Sequence, residues 1–248
     1  MGISEDAIEF VKRNKKLIIN KFVDGSGQKT FQIPVSFFMA GSPGAGKTEF
    51  SKNFIGLVEK FLSQKLVELG HAGPFTIVRI DGDEIREMLP GYTGDNSHLF
   101  QGAISVGVNK LYDYVLDKKF NVLVDGTFSN EKYAIENIKR SLDKNRMVNI
   151  LYVYQDPLKA WELTKAREAK EGRMITLNLF VEEFFLAKEN VNKVKKIYGN
   201  KIQVDFIQRD FEKEIYKYEI NINNVDNYLN IEYTKESLTE KLKNLEIC

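Results

Sequence analysis

Gly41-Ser42-Pro43-Gly44-Ala45-Gly46-Lys47-Thr48 has the residue types and the spacing to hold a polyphosphate. It leaves the short apolar run Val35-Ser-Phe-Phe-Met-Ala40 and passes through Glu49 into an amphipathic stretch, the strand, loop and helix context that GxxxxGK[ST] requires. Glycines at 41, 44 and 46 let the backbone turn tightly and present a row of N–H groups, with the positive end of the following helix behind them. Lys47 would place a point charge on the β- and γ-phosphates, and the Thr48 hydroxyl would ligate Mg²⁺. A nucleoside triphosphate site over residues 41–49 follows; what receives the phosphate does not.

Phosphoryl transfer to an alcohol also needs an acceptor for the hydroxyl proton and positive charge on the transferred group. Asp81 and Asp83 lie in Ile80-Asp-Gly-Asp-Glu-Ile-Arg86. Asp83, at the start of a short helix, is the better placed base, while Asp81 can hold the turn or an outer-shell water of the metal. Both also suit helix N-capping, which does not exclude catalysis. Arg86 falls on the substrate side of the same turn.

Asp125 ends an apolar strand, where P-loop enzymes place the acid that supports Mg²⁺. Gly126 would let substrate approach the backbone, and Thr127 can donate or accept, although Asp-Gly is also ordinary turn chemistry. Arg167 and Arg173, in Lys165–Arg173, are candidates for neutralising transition-state charge. A solvated charged helix face is the alternative, since Glu and Lys surround them. His71 and His98 are too isolated to suggest a metal site or a catalytic pair.

The elements that must position these groups alternate. A helix is expected over about Ser4–Phe22, then a flexible connection at Asp24–Gly27. Packing against the domain is the simple role for that helix, and a partner or regulatory helix the alternative. Strands are expected at 35–40, 75–80, 121–124, 148–154 and 202–207, with helices after the P-loop to Gly70, at 99–116, 130–142, 158–171 and 175–198. Phe180, Phe184 and Phe185 read as core. Residues 217–223 can form an edge strand, and Leu238, Leu242 and Leu245 mark a last short helix.

Five strands alternating with helices argue for an α/β P-loop NTPase fold, a doubly wound, mainly parallel five-stranded sheet with helices on both faces. In such sheets ligands bind beyond the carboxyl ends of the strands, where the P-loop, Asp81, Asp83, Asp125, Thr127 and Asp156 all fall. One domain is expected, with an N-terminal helix and linker (1–30), a core (31–210) and a C-terminal extension (211–248).

Lys and Arg number 36 against 35 Asp and Glu in 248 residues, a net charge of +1 that offers no global field for nucleic acid or an anionic membrane. The single cysteine, Cys248, excludes intramolecular disulfides and fits a reducing compartment. Neither a signal-peptide pattern nor a membrane-length apolar run is expected, and Gly2 lacks the Ser or Thr at position 6 that myristoylation needs. A cytoplasmic location is the expectation.

With these motifs in order, GSPGAGKTEF, IDGDEIREMLPGYTG, NVLVDGTF, YVYQDP and the arginines of 167–173, the chain resembles the zeta toxin family of P-loop kinases, in particular a bacterial zeta-like group. The resemblance covers about 36–210. It implies an ATP- and Mg²⁺-dependent kinase that phosphorylates a hydroxyl of UDP-N-acetylglucosamine and acts as a toxin restrained by an antitoxin protein. On this carry-over Asp83 matches the base, Lys47 the P-loop lysine, Arg167 and Arg173 the arginines around the transferred phosphate, and Asp125 with Thr127 the substrate-side EGT motif. Asp125 departs from the family's Glu, and Asn109 stands where a sugar-contacting Glu is expected. Asp for Glu shortens the reach, and Asn for Glu exchanges a pure acceptor for a mixed donor and acceptor. Such changes reorder substrate preference. A small-molecule kinase of another role, acting on a nucleoside, antibiotic or cofactor, and a nucleotide-dependent switch with slow hydrolysis remain as alternatives.

Overall fold

Val35–Ala40 is apolar at almost every position and is buried from Ser36 to Ala40, as a strand covered on both faces must be. The computed structural model describes residues 2–23, 29–71, 73–172, 174–209, 217–229 and 233–247. Its strands are β1 (Val35–Ala40), β2 (Ile77–Asp81), β3 (Asn121–Asp125), β4 (Met147–Tyr154), β5 (Gln203–Gln208) and β6 (Lys217–Glu219). The helices around them are α1 (Ile3–Arg13), α2 (Lys15–Phe22), α3 (Lys47–Glu68), α4 (Gly82–Arg86), α5 (Gln101–Asp117), α6 (Glu131–Asp143), α7 (Pro157–Glu171), α8 (Leu177–Tyr198) and α9 (Lys235–Ile247). The strands form one mostly parallel sheet in the order β2-β3-β1-β4-β5-β6. The expected five are thus joined by a sixth, the antiparallel edge strand for which 217–223 left room.

Two compact units divide the chain, Met1–Ser36 with Thr48–Asp125 and Lys144–Arg146, and Phe37–Lys47 with Gly126–Asp143 and Met147–Cys248. In the first unit β2 and β3 pair in parallel from Ile77↔Asn121 to Asp81↔Asp125, so their two terminal aspartates lie side by side. The edge of β2 is closed by α3, whose Glu59 accepts from Ile77 N at 2.7 Å and whose Ser63 accepts from Phe75 N at 2.8 Å. The N-terminal segment forms two helices rather than the one expected. Asn14 turns both its backbone N–H and its side-chain amide back onto Phe10 O, each at 2.9 Å, so the side chain competes with the helical ladder and breaks it. Ala7, Val11 and Ile18 then bury against Ile85, Leu89, Phe100 and Ile104, a packing role for these helices.

Arg146, 4% exposed, pins the starts of two strands in this unit. Its guanidinium donates to Ser36 Oγ at 2.6 Å, Val35 O at 2.9 Å and Phe120 O at 2.6 Å. Burial pulls its pKa down to about 10, so it stays charged at neutral pH. Arg146→Met strands these acceptors and is expected to remove about 3 kcal/mol of stability, read as a lower midpoint in a urea titration.

In the second unit β4 and β5 pair in parallel from Asn149↔Gln203 to Tyr154↔Gln208, and Phe206 stacks with Tyr152 and Tyr154. Phe180, Phe184 and Phe185 of α8 are buried, as their spacing suggested, and Trp161 of α7 sits edge-on to Phe180 with ring centroids 5.0 Å apart. Asp205, on buried β5, anchors the edge by accepting from Tyr218 OH at 3.1 Å and Asn221 N at 2.9 Å.

Candidate active site

The phosphate loop belongs to the second unit as far as Lys47. Gly41 has φ +138° and Gly44 φ +72°; a Cβ would come within 2.2 Å of Val153 O at the first and 2.0 Å of Ala160 O at the second. Both positions therefore require glycine on backbone conformation and on space. Ser42, Pro43 and Ala45 are buried, and Gly46 O accepts from Arg209 Nη1 at 2.9 Å. The Lys47 ammonium folds back on its own loop, donating to Gly41 O at 3.0 Å and Ser42 O at 2.6 Å.

The same unit carries Thr127. Gly41 N donates to Thr127 O at 3.2 Å, which ties the phosphate loop to the Asp-Gly-Thr turn. The next residue, Phe128, has φ +63°, a genuine outlier for an aromatic residue and a strain on the order of 1–3 kcal/mol. Asn190 of α8, 2% exposed, offsets it by donating to Phe128 O at 3.0 Å and Ser129 O at 2.9 Å. Arg167 lies exposed on α7, one turn past Thr164, whose hydroxyl stands where a side chain at Gly44 would go. Arg173 lies outside the described residues.

The first unit resumes at Thr48, half-buried in the first turn of α3, and the exposed Glu49. Asp81 caps α4, accepting from Asp83 N at 2.9 Å, so the capping role weighed for this pair belongs to Asp81. Asp83 accepts from Arg86 Nη1, and Arg86, 5% exposed, also donates to Gln101 at 3.3 Å. Asn109 is half-buried on α5.

Arg79 is the hub of this unit. Its Nη2 donates to Asp125 Oδ2 at 2.7 Å and to Asp81, its Nη1 pairs with Glu84, and its Nε faces Ser51 Oγ at 3.1 Å. Ser51 Oγ is 2.8 Å from Asp125 Oδ2. Burial works against the Arg79 charge, but Asp81, Asp125 and Glu84 outweigh it and hold its pKa above the usual value. Burial and the charge of Asp125 push the Asp81 carboxyl up despite Arg79. Three acids on one guanidinium leave an excess of negative charge.

Mg²⁺ takes hard oxygen ligands with retained water, and a Thr hydroxyl with carboxylates of this kind suits it. Among the described residues, the hydrogen bonds to Asp125 all fall on Oδ2, which leaves Oδ1 for a metal-bound water. The donor set therefore fits the ion.

The zeta toxin family model matches residues 21–221. The chain belongs to the zeta toxin family. A solved structure of the PezAT chromosomal toxin-antitoxin system of the human pathogen Streptococcus pneumoniae superposes with a TM-score of 0.63 at 18% identity, covering 100% of this chain and 99% of that one. The AvrRxo1-ORF1:-ORF2 structure with ATP gives a TM-score of 0.59 at 14% identity, over 91% of this chain and 70% of the other. No curated protein sequence matches. As a zeta toxin family member with this fold, the chain is a P-loop phosphotransferase.

Sequence reasoning missed Arg79 and Ser51 beside Asp125 in the first unit of this zeta toxin family kinase, and Arg209 beside the phosphate loop in the second. Arg79 left a signal, a charge between apolar residues on a strand that ends in Asp81. Arg209 left another, a cation directly after β5. Arg79→Met leaves three carboxylates facing one another and is expected to cost about 3–5 kcal/mol at neutral pH, measured by urea titration. The raised pKa of Asp81 makes its contribution fullest below the ordinary value of 3.8 and lost as pH rises through the folded value. Removing Arg79 pushes the Asp81 carboxyl further up, so the deficit of the variant should shrink towards about pH 4.

Proposed function

We propose that this chain transfers the γ-phosphate of ATP to a hydroxyl of a nucleotide-activated sugar, UDP-N-acetylglucosamine being the expected acceptor, in the cytoplasm and under the control of an antitoxin protein. The observation that carries the reading is Asp83. This acid stands one residue inside α4 behind the Asp81 cap, its carboxylate aimed by Arg86 and its side chain 31% exposed. Family membership supports the acceptor class, the AvrRxo1-ORF1:-ORF2 structure with ATP supports the donor, and the PezAT toxin-antitoxin system supports the partner.

Lys47 exchanges the carbonyls of Gly41 and Ser42 for phosphate oxygens, and the loop N–H groups cradle the rest. Thr48 and Asp125 would hold Mg²⁺, which would supply positive charge for phosphoryl transfer. Asp83 takes the proton of the attacking hydroxyl, while Arg167 and Arg173 meet the charge of the transferred group. Asp81, Arg86, Asn109, Asp125 and Thr127 are the residues that would meet the acceptor.

One observation favours a second reading, a small-molecule kinase with another acceptor. Asp125, already shorter than the family's Glu, is held by Arg79 and Ser51, which limits its reach to a sugar. Transfer from γ-labelled ATP to a panel of UDP-sugars, nucleosides and cofactors separates the two. Label on UDP-N-acetylglucosamine supports the first, label on another member the second, and slow phosphate release alone points to a switch.

A further inference from the structure

Thr127, Ser129 and Glu183 form a line of oxygens in the second unit. Thr127 Oγ1 is 2.7 Å from Ser129 Oγ, and Ser129 Oγ donates to Glu183 Oε1 at a longer 3.3 Å. A hydroxyl has one proton to give, and an ionised carboxylate only accepts. With the Ser129 proton directed to Glu183, the short contact to Thr127 is made by the Thr127 proton, and Thr127 is left with lone pairs alone.

We propose that Glu183, acting through Ser129, fixes the proton of Thr127 so that this side chain selects an acceptor substrate bringing a hydroxyl or amide hydrogen to it. The inference rests on the reading of the chain as a kinase with Thr127 on its acceptor side. A phosphate oxygen, which has no hydrogen to give, meets lone pair against lone pair at Thr127; a sugar hydroxyl or an acetamido N–H is accepted. Thr127 thus reads the sugar and rejects the diphosphate, which sets the direction in which a nucleotide sugar enters.

The backbone supports this role. Asn190 holds the carbonyls of Phe128 and Ser129, Gly41 N holds that of Thr127, and the Phe128 ring rests against Phe38 with centroids 6.3 Å apart. All three carbonyls are engaged, so the hydroxyl line keeps its geometry when a ligand arrives. Glu183 and Ser129 are positioning residues, since they act through Thr127.

Glu183→Gln reverses the line. A side-chain amide can donate to Ser129, Ser129 then donates to Thr127, and the Thr127 proton is released towards the ligand. Ser129→Ala breaks the line instead. The test compares transfer from γ-labelled ATP to the acceptor and to analogues in which each hydroxyl other than the one phosphorylated is replaced by fluorine, which keeps lone pairs and loses the hydrogen. In the wild type one analogue is expected to lose about 10²-fold in kcat/KM, and in both variants that loss should fall below about tenfold with the KM for ATP unchanged. Equal discrimination in wild type and variants overturns the proposal. If the wild type phosphorylates no acceptor, the kinase reading is what fails, and neutron diffraction from deuterated crystals still decides the inference. A deuteron on the line from Thr127 Oγ1 to Ser129 Oγ supports it; one pointing elsewhere overturns it.

Discussion

Asp83→Asn is expected to lower kcat by about 10²- to 10⁴-fold while nucleotide affinity stays within about twofold, the range over which a positioned general base contributes. Asn is the discriminating substitution because it keeps the volume of the side chain and an oxygen for Arg86 Nη1, while it removes the charge and with it the ability to take a proton. Asp83→Ala would add a second effect, since the buried Arg86 would lose its acceptor oxygen altogether. Single-turnover transfer from labelled ATP, with nucleotide affinity followed by calorimetry, separates chemistry from binding. Turnover unchanged in Asp83→Asn would remove this residue as the base.

Lys47→Ala should lower kcat/KM by on the order of 10³-fold, because it takes away the one charge of the loop aimed at the transferred group. In the folded chain the same ammonium satisfies Gly41 O and Ser42 O, so the variant also leaves these carbonyls short of a donor and should be less stable by about 1–3 kcal/mol. The two losses separate in a melting experiment with and without ATP. Wild-type protein gains stability from nucleotide, whereas the variant starts lower and gains much less. An equal gain in both proteins would show that Lys47 does not hold phosphate. Lys47→Arg is expected to rescue little, since a planar guanidinium cannot replace a compact ammonium against two carbonyls of a tight loop.

The parts of the site that follow from local chemistry were legible in the sequence. Three glycines, a lysine and a threonine at fixed spacing announce a phosphate loop because backbone conformation and hydrogen-bond donors are set within eight residues, and the glycines at 41 and 44 do stand where no side chain fits. The strands were legible because parallel strands buried on both faces are apolar runs. The rest depends on partners distant in the chain. Arg79 meets Asp125 across 46 positions, and Asn190 reaches Phe128 across 62, so nothing in either local window marks the contact. Glu183 reads as a surface residue on a helix. Asn14 was passed over because the apolar spacing continues through it, and spacing alone does not register a side chain that competes for its own backbone. Arg167 was legible as a cation on α7, where it lies exposed.

The two borders of the sheet have a consequence for how this protein behaves when concentrated. Strand borders carry unpaired amides and carbonyls that can template a second chain. On the β2 side Glu59 and Ser63 of α3 already occupy the amides of Ile77 and Phe75, and on the β6 side the strand is only three residues long and bears Lys217 and Glu219. Among the described residues, each border is interrupted where another copy would begin to extend it. Growth of the sheet from molecule to molecule is therefore hindered at both borders by Glu59, Ser63, Lys217 and Glu219, none of which is assigned a part in phosphate transfer.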